Sequence, residues 1–245
     1  MNKILVSFIL TSLAGLSTVI GYFIIFIKGD KNKLISFSLS FASGVMLTLS
    51  IIDLLPSAFS YLNNYNLFFK LLLISFFFIL GIYMSSYISS LVEIENNSLK
   101  KVGIVSMIAI ILHNIPEGII TFLVSGVSLN LGFKLAFAIS LHNIPEGISI
   151  AIPIYYATNK KIKTFFIVLI SSLSEIIGAI LSYLFLKNIV NNFLLGIVFS
   201  LIAGIMSNIS LSELLPESFK YKNSKLSYLG FTLGTIIMII SHVVI

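Results

Sequence analysis

A hexapeptide written twice carries the residues of this chain that could do chemistry. The sequence His-Asn-Ile-Pro-Glu-Gly occupies residues 113–118 and again residues 142–147, each time inside an apolar stretch long enough to cross a bilayer. On translocon scales a charged residue at mid-bilayer costs about 2.5 to 3.5 kcal/mol, so such residues are functional candidates by default. Because the motif is energetically costly in a membrane and occurs twice, it indicates a functional site.

Helical geometry places the three polar side chains of each copy together. At about 100° per residue, Glu117 lies roughly 40° and Asn114 roughly 100° around the helix from His113, so the carboxylate falls between the imidazole and the amide. Pro116 has no N–H to donate to the carbonyl of Leu112, which is left free beside these groups. Imidazole, carboxylate and amide on one stripe are ligands for a divalent metal, and a central carboxylate could bridge two ions.

The motif could also be a surface contact or a proton relay. A single His and Glu one turn apart is most often a surface contact in a soluble helix, but a surface contact does not account for the pair inside an apolar span. A proton relay remains the alternative to a metal site, because His and Glu also build relays.

The composition is typical of a polytopic helical membrane protein. Of the 245 residues, 58% are hydrophobic and only 10% are charged, and the mean hydropathy is +1.09. Repeated apolar runs of about 20 residues predict membrane-spanning helices. The net charge of +6 comes from lysines in short loops, so nucleic-acid binding is not indicated. The absence of cysteine excludes a thiolate metal site.

The predicted fold is all-α, a single integral membrane domain with eight transmembrane helices. The first apolar run is longer than the roughly 7 to 15 residues of a signal-peptide core and is followed by Lys28 and Asp30, so we expect it to be retained. The spans are predicted at about residues 4–27, 34–59, 67–91, 102–125, 131–157, 164–187, 190–216 and 226–245.

The lysines predict the orientation, because the chain contains no arginine. Eleven lysines fall in the loops that follow the odd-numbered spans, and four lie on the opposite side: Lys3, Lys70, Lys134 and Lys187. Cytoplasmic loops carry an excess of basic residues. The chain is therefore predicted to lie in the cell membrane, plasma or inner, with both termini outside the cytoplasm.

A second repeat surrounds the central pair of spans. A shift of 160 residues aligns span 2 with span 7 and span 1 with span 6, and it lays Asp53 on Glu213. Spans 1 to 3 thus recur as spans 6 to 8, and span 4 as span 5, which divides the domain into 1–95, 102–157 and 163–245. Corresponding spans are an odd number of crossings apart, so this 3+2+3 repeat is inverted. Inverted repeats with a polar site at their axis are typical of secondary transporters.

One carboxylate breaks this symmetry. Glu175 in span 6 aligns with Gly15 in span 1. It lies about 11 residues into its span, near mid-bilayer at about 1.5 Å per residue. We predict that Glu175 completes the metal site and that Gly15 leaves packing room. The alternative is a glutamate near a helix end that reaches out to water.

Two further acids are candidates for the transport pathway. Asp53 and Glu213 each precede a Leu-Leu-Pro near a helix end, on opposite membrane faces in the predicted topology. They could attract cations on the way in and on the way out, and they could equally be helix-end charges at the interface. Glu217 lies beside a lysine-bearing loop, and for it we favour the interface.

The remaining polar and sulfur-containing residues are expected to be structural. Met46 and Met206 are expected to fill the core, and His242 to be a lone interfacial histidine. Six asparagines are expected to be ordinary loop residues: Asn63, Asn64, Asn96, Asn97, Asn191 and Asn192.

Taken together, these residues resemble the ZIP (Zrt/Irt-like) family of divalent metal transporters, most closely its bacterial ZupT-like branch. The similarity covers all eight spans. It rests on the two HNxPEG motifs on consecutive spans and on the Ser-Glu-x-x-Gly-Ala segment at 174–179.

The resemblance implies import of divalent metal into the cytoplasm through a binuclear site. One ion would be held by His113, Glu117, His142 and Glu146, and the other by Asn114, Glu117, Asn143, Glu146 and Glu175. It also implies that spans 1, 4, 5 and 6 carry the site past a frame of spans 2, 3, 7 and 8, often in a homodimer.

The chain also departs from the family pattern. The loop at 93–101, histidine-rich in many relatives, contains no histidine, so metal sensing by this loop is not expected. Ile176 stands where some relatives have proline. Asn143 stands where some members carry aspartate, which removes one negative charge from the site and leaves metal preference open.

The sequence therefore predicts a passive or gradient-driven importer of divalent transition metals, with the bilayer and the transported ion as partners and no resident cofactor. The ligands suit Zn²⁺ first, and also Fe²⁺, Mn²⁺ and Co²⁺; the absence of thiolate argues against Cu⁺, and imidazole argues against Mg²⁺ or Ca²⁺. One alternative is a membrane-embedded metallohydrolase, which lacks the usual HExxH motif. Another is an exporter or proton antiporter, because the residues do not fix direction.

Overall fold

The computed structural model describes residues 3–92, 94, 97–186 and 191–244. Throughout this part of the chain the regular structure is helical, and eight helices are long and apolar enough to cross a membrane. We call them spans 1 to 8: Lys3–Phe26, Lys31–Tyr61, Leu67–Leu91, Ser98–Val127, Leu129–Thr158, Lys161–Phe185, Asn192–Phe219 and Ser224–Val243. The predicted number of spans is confirmed, and their ends fall within about one turn of the prediction. Asn96, Lys187 and part of the loop at 93–101 lie outside the described residues.

Polar side chains fix where several spans begin. Asn66, Asn97 and Asn191 each accept a hydrogen bond at 2.9 Å from the backbone N–H three residues on. Asp30 does the same for span 2 at 3.0 Å. Such caps satisfy N–H groups that a helix leaves unpaired at its start. Asn97 and Asn191, expected to be ordinary loop residues, are therefore helix caps.

Prolines change the pitch of spans 2 and 7 at matching positions. Wider π-helical turns occupy Ser50–Leu54 and Ile209–Leu214, each shortly before a proline. A proline cannot donate to the carbonyl four residues back and its ring clashes with it. The N–H of the preceding residue reaches five residues back instead, as from Leu55 to the carbonyl of Ser50. Asp53 and Glu213 both lie in these wider turns.

The spans pack in two groups. Spans 1, 4, 5 and 6 all contact one another, while span 2 packs on span 8, span 3 on span 7, and span 2 on span 7. The groups meet chiefly where span 2 contacts span 5. In the predicted repeat, spans 1 and 5 correspond to spans 6 and 4, so the contact between spans 1 and 5 matches the contact between spans 6 and 4. In the same way, the contact between spans 2 and 8 matches the contact between spans 7 and 3. The inverted repeat stays a prediction, which these matched pairs support.

The core of the second group combines apolar packing with one polar contact. Met46 and Met206 are each 1% exposed and belong to the largest hydrophobic cluster, as predicted. Between spans 2 and 7, the hydroxyls of Ser43 and Ser210 lie 2.7 Å apart, and each lies within hydrogen-bond distance of the other's backbone carbonyl oxygen, at 3.0 and 2.7 Å. Both hydroxyls are thereby satisfied in an apolar setting where an unpaired one would be costly.

Glycines allow the closest approaches in this group. A Cβ atom added at Gly44 would overlap the carbonyl oxygen of Phe231, and one added at Gly204 would overlap that of Phe78. Small residues at such contacts are how membrane helices pack without a hydrophobic drive between them. The contacts between spans 2 and 8 and between spans 7 and 3 therefore depend on glycine.

We predict that Gly204→Ala destabilises the protein. The added methyl group has no room beside Phe78, and overpacking of this kind costs about 1–3 kcal/mol. The melting temperature in detergent should fall clearly. Gly126→Ala is the matched control, because its nearest neighbour would be the Ser7 hydroxyl oxygen at 3.9 Å. Equal melting temperatures for the two variants would contradict the prediction.

Candidate metal centre

Two histidines and a glutamate converge between spans 4 and 5. The Nε2 atoms of His113 and His142 each lie 3.1 Å from the same oxygen, Oε1 of Glu117. Glu146 joins from span 5, with its Oε1 3.5 Å from Nε2 of His113. All four residues are at most 7% exposed. The potential ligand atoms of the first three lie within 4.8 Å of one another, so they could hold a metal ion.

A second polar pair extends this cluster toward span 6. The Asn143 side-chain amide donates to Oε2 of Glu175 at 2.9 Å and to the backbone carbonyl of Ala14 at 3.0 Å. Both Asn143 and Glu175 are fully buried. A Cβ atom at Gly15 would lie 2.9 Å from both the Cβ of Glu175 and the carbonyl oxygen of Ser172. Gly15 therefore provides the space in which the Glu175 side chain lies.

The glycine of each motif copy brings a flanking span onto the centre. A Cβ atom at Gly118 would overlap the carbonyl oxygen of Glu175, and one at Gly147 would overlap that of Thr18. By packing, therefore, Thr18 rather than Gly15 occupies the position in span 1 that Glu175 has in span 6. Two further contacts support this correspondence. Gly178, three residues after Glu175, packs on the carbonyl of Ile115, and Gly21, three residues after Thr18, packs on the carbonyl of Ile144.

Thr18 was not among the predicted site residues. It is fully buried, and its hydroxyl makes no hydrogen bond within the described part of the chain. The sequence alignment of spans 1 and 6 placed it three residues away from Glu175. A threonine in an apolar span carries no signal of its own, since its hydroxyl usually bonds to the preceding helical turn.

Many polar atoms of the centre lack a hydrogen-bond partner among the described residues. They are Nδ1 of His113, both amide atoms of Asn114, Oε2 of Glu117, Oδ1 of Asn143, both carboxylate oxygens of Glu146 and Oε1 of Glu175. Buried polar atoms are nearly always partnered, and unpaired ones are expensive. Imidazole nitrogen with carboxylate and amide oxygen is a donor set that suits a divalent transition metal. The centre thus has the chemistry to bind such an ion.

A cavity connects this centre to one membrane face. It has a volume of about 470 Å³, and its wall includes Asp53, Lys134, His142 and His242. An adjoining cavity of about 130 Å³ shares Asp53 and His142 and reaches Glu117. Asp53 therefore lines both cavities. His242, expected at the interface as a lone residue, lines the larger of these two cavities.

The acids near the opposite face are engaged by neighbouring side chains. Glu213 accepts a hydrogen bond from the Ser89 hydroxyl at 2.5 Å. Glu217 accepts one from Ser98 at 2.9 Å and pairs with the Lys220 ammonium at 2.7 Å. Glu217 is only 2% exposed, so the expectation of a helix-end charge facing the interface is wrong. Its partners stabilise the buried carboxylate and connect span 7 to the start of span 4.

The described chain forms eight membrane-spanning helices and buries imidazole and carboxylate groups near the middle of two 30-residue spans. This is the architecture of a membrane metal transporter. The family described as ZIP zinc transporter matches residues 88–242. The chain is 38% identical to the zinc transporter ZupT of Streptococcus mutans, covering 96% of each chain. It is 37% identical to that of Clostridium perfringens, covering 98% of this chain and 96% of the relative.

The chain therefore belongs to the ZIP zinc transporter family. A third relative, the zinc transporter ZupT of Salmonella paratyphi A, is 35% identical and covers 98% of this chain and 97% of its own. The protein is thus a multi-pass membrane transporter of divalent metal and not an enzyme. The resemblance inferred from the HNxPEG motifs is confirmed.

We predict that Asn143→Asp lowers the stability of the metal-free protein and increases its response to zinc. The substitution replaces the amide that donates to Glu175 with a second carboxylate, a loss of about 1–3 kcal/mol for a buried pair. A bound cation would be favoured by the extra charge. Melting temperatures in EDTA and in ZnCl₂ measure both effects.

Asn143→Ala separates the two effects. It should lower the melting temperature in EDTA without enlarging the rise produced by zinc, since it removes the amide and adds no charge. A zinc-dependent rise in Asn143→Asp that is no larger than that of the unaltered protein would contradict the prediction.

Proposed function

We propose that the chain imports divalent transition-metal cations, with Zn²⁺ as the first candidate, by alternating access through a binuclear site. The observation that carries the proposal is the shared oxygen of Glu117, 3.1 Å from both histidine Nε2 atoms in a buried centre that a cavity reaches from one side. A carboxylate between two imidazoles is suited to bind an ion, and its second oxygen is free to bridge to a neighbouring one.

We assign the two ions to overlapping ligand sets. His113, His142, Glu117 and Glu146 would hold the first. The second would use Glu117 and Glu146 again, together with three residues on the span 6 side: Asn114, Asn143 and Glu175. The hydrogen bond from Asn143 to Glu175 supports this second set, because it brings an amide and a carboxylate of different spans together.

The substrate range follows from the donor types. Mixed nitrogen and oxygen ligands favour Zn²⁺, Fe²⁺, Mn²⁺ and Co²⁺ over Mg²⁺ and Ca²⁺, which prefer oxygen alone. The relatives are named zinc transporters, which favours Zn²⁺. Asn143 is an amide where some family members carry aspartate, so the site has one negative charge fewer. We therefore expect the metal ion to bind with moderate affinity and to be released readily.

The difference between the two membrane faces supports alternating access. Toward one face, Asp53 lines a cavity that reaches His142. Toward the other, Glu213 is bound by Ser89, and Glu217 by Ser98 and Lys220. We propose that Asp53 receives cations from outside and that Glu213 lies on the exit route, which opens when these contacts break.

The moving parts follow from the packing. Spans 1, 4, 5 and 6 contact one another and hold the centre, so we propose that they move together past spans 2, 3, 7 and 8. The two repeats, at 1–95 and 163–245, flank the central pair of spans at 102–157. They would exchange conformations when the site changes from facing one side of the membrane to facing the other. Spans 3 and 8 are the least buried of the eight and offer surface for a homodimer.

Flux into proteoliposomes containing the purified protein tests the proposed function. Zn²⁺, Fe²⁺, Mn²⁺ and Mg²⁺ are offered in turn. We expect saturable flux of the transition metals, little for Mg²⁺, and at least a 10- to 100-fold loss in a His113→Ala, His142→Ala variant, since even indirect supports of a metal site matter this much. Lys225→Ala, at an exposed position in the first turn of span 8, is the control. Tight binding without flux would overturn the proposal.

Cysteine labelling tests the orientation, because the natural chain contains no cysteine. Val127 is 81% exposed at the loop between spans 4 and 5, and Lys160 is exposed at the loop between spans 5 and 6. A membrane-impermeant maleimide should label Val127→Cys in intact cells, and Lys160→Cys only after permeabilisation. The reverse pattern would place the termini in the cytoplasm and would favour export.

A further inference from the structure

The cavity of about 470 Å³ is lined by one acid, Asp53, and one lysine, Lys134, and we call the part of the cavity that they line its mouth. Its wall also contains two histidines, a serine and apolar side chains, so Asp53 and Lys134 are the only permanently charged groups among the described residues that line it. His142 lies at its inner end and belongs to the metal centre. A cation that passes through this cavity to the centre therefore comes close to both charges.

Lys134 is placed so that its charge acts on the cavity. It lies in span 5, two turns before His142, beside Leu131, Leu135 and Ala138, which also line the wall. The lysine is exposed, and it makes no hydrogen bond and no ion pair within the part of the chain that the structure describes. In particular, it is not paired with Asp53. Its ammonium, on a flexible four-carbon stem, can therefore move across the mouth.

Two other lysines near the membrane faces have side-chain partners, unlike Lys134. Lys220 pairs with Glu217 at 2.7 Å near the opposite face. Lys70 donates to Asn63 at 2.8 Å and lies over the ring of Phe59. The contrast matters, because an ion-paired or hydrogen-bonded ammonium is partly neutralised, whereas the charge of Lys134 is available to a passing ion.

We propose that Lys134 sets the affinity of metal uptake by cancelling the charge of Asp53 at the mouth. A cleft with low-dielectric walls focuses the field of the charges that line it. A divalent cation feels each charge twice as strongly as a monovalent ion does. With Lys134 present, the mouth has no net charge and does not concentrate cations; without it, Asp53 would attract them. Lys134 is thus a determinant of KM and not a metal ligand.

The inference rests on the proposed function and is tested by the kinetics of transport. Initial rates of Zn²⁺ flux are measured against concentration, with metal offered on the side from which Val127→Cys is labelled. At low ionic strength, Lys134→Gln should lower KM by about three- to ten-fold and leave kcat within about two-fold, as one charge acting through water on a divalent ion would do. Lys134→Glu should lower KM further, and Lys134→Arg should keep the natural value.

Salt and a matched lysine complete the test. At about 0.5 M monovalent salt the difference between Lys134→Gln and the natural protein should shrink toward zero, because charges are screened within a few ångström. Lys3→Gln removes the same charge beside a different cavity and should leave KM unchanged.

The outcomes distinguish this inference from the proposed function. If the natural protein moves no metal, the proposed function fails. If it moves metal but Lys134→Gln leaves KM unchanged, changes only kcat, or matches Lys3→Gln, the role of Lys134 is overturned and the transport function stands. Loss of the natural KM in Lys134→Arg would likewise overturn the role assigned to the charge.

Discussion

The structure depends on keeping three carboxylates and two imidazoles away from water in the middle of a membrane. Glu117, Glu146 and Glu175 are at most 7% exposed, and much of their hydrogen-bonding capacity is unused within the described chain. Charges in such a place are tolerated only with close partners of opposite charge or with a bound metal. The centre uses shared contacts, with one oxygen of Glu117 serving both histidines. The unused polar atoms that make the metal-free centre costly also make it ready for a cation.

Close backbone packing is what allows this arrangement. The motif glycines Gly118 and Gly147 let the carbonyl oxygens of Glu175 and Thr18 approach spans 4 and 5 more closely than any side chain would allow. Glycine therefore positions Glu175 beside Asn143, even though it contributes no ligand itself. Serine hydroxyls and glycines also join spans 2 and 7 and their partners, so small residues organise both groups of helices.

The two ends of the molecule differ in chemistry as well as in access. One end holds a cavity that is lined, among the described residues, by a single acid and a single lysine, which do not pair with each other. Asp53 at this end accepts a long hydrogen bond from Ser57 at 3.4 Å, whereas at the opposite end Glu213 accepts a shorter one from Ser89 and Glu217 is bound by Ser98 and Lys220. The two ends therefore differ in how their acidic side chains are paired.

The sequence by itself determined the class of protein, the eight spans and the polar stripe of each motif copy, because hydropathy and helical periodicity are local properties of the chain. It also pointed to Glu175, since a carboxylate in an apolar span is costly and therefore rarely incidental. Only the tertiary structure decided that Thr18 packs where Glu175 does in the other half, that Glu217 is buried against Ser98, and that His242 and Lys134 share a cavity with Asp53. These relations depend on the axial position of one helix relative to its neighbour. That position is set by contacts between glycines and backbone carbonyls of distant segments. A periodic pattern within one helix carries no information about it.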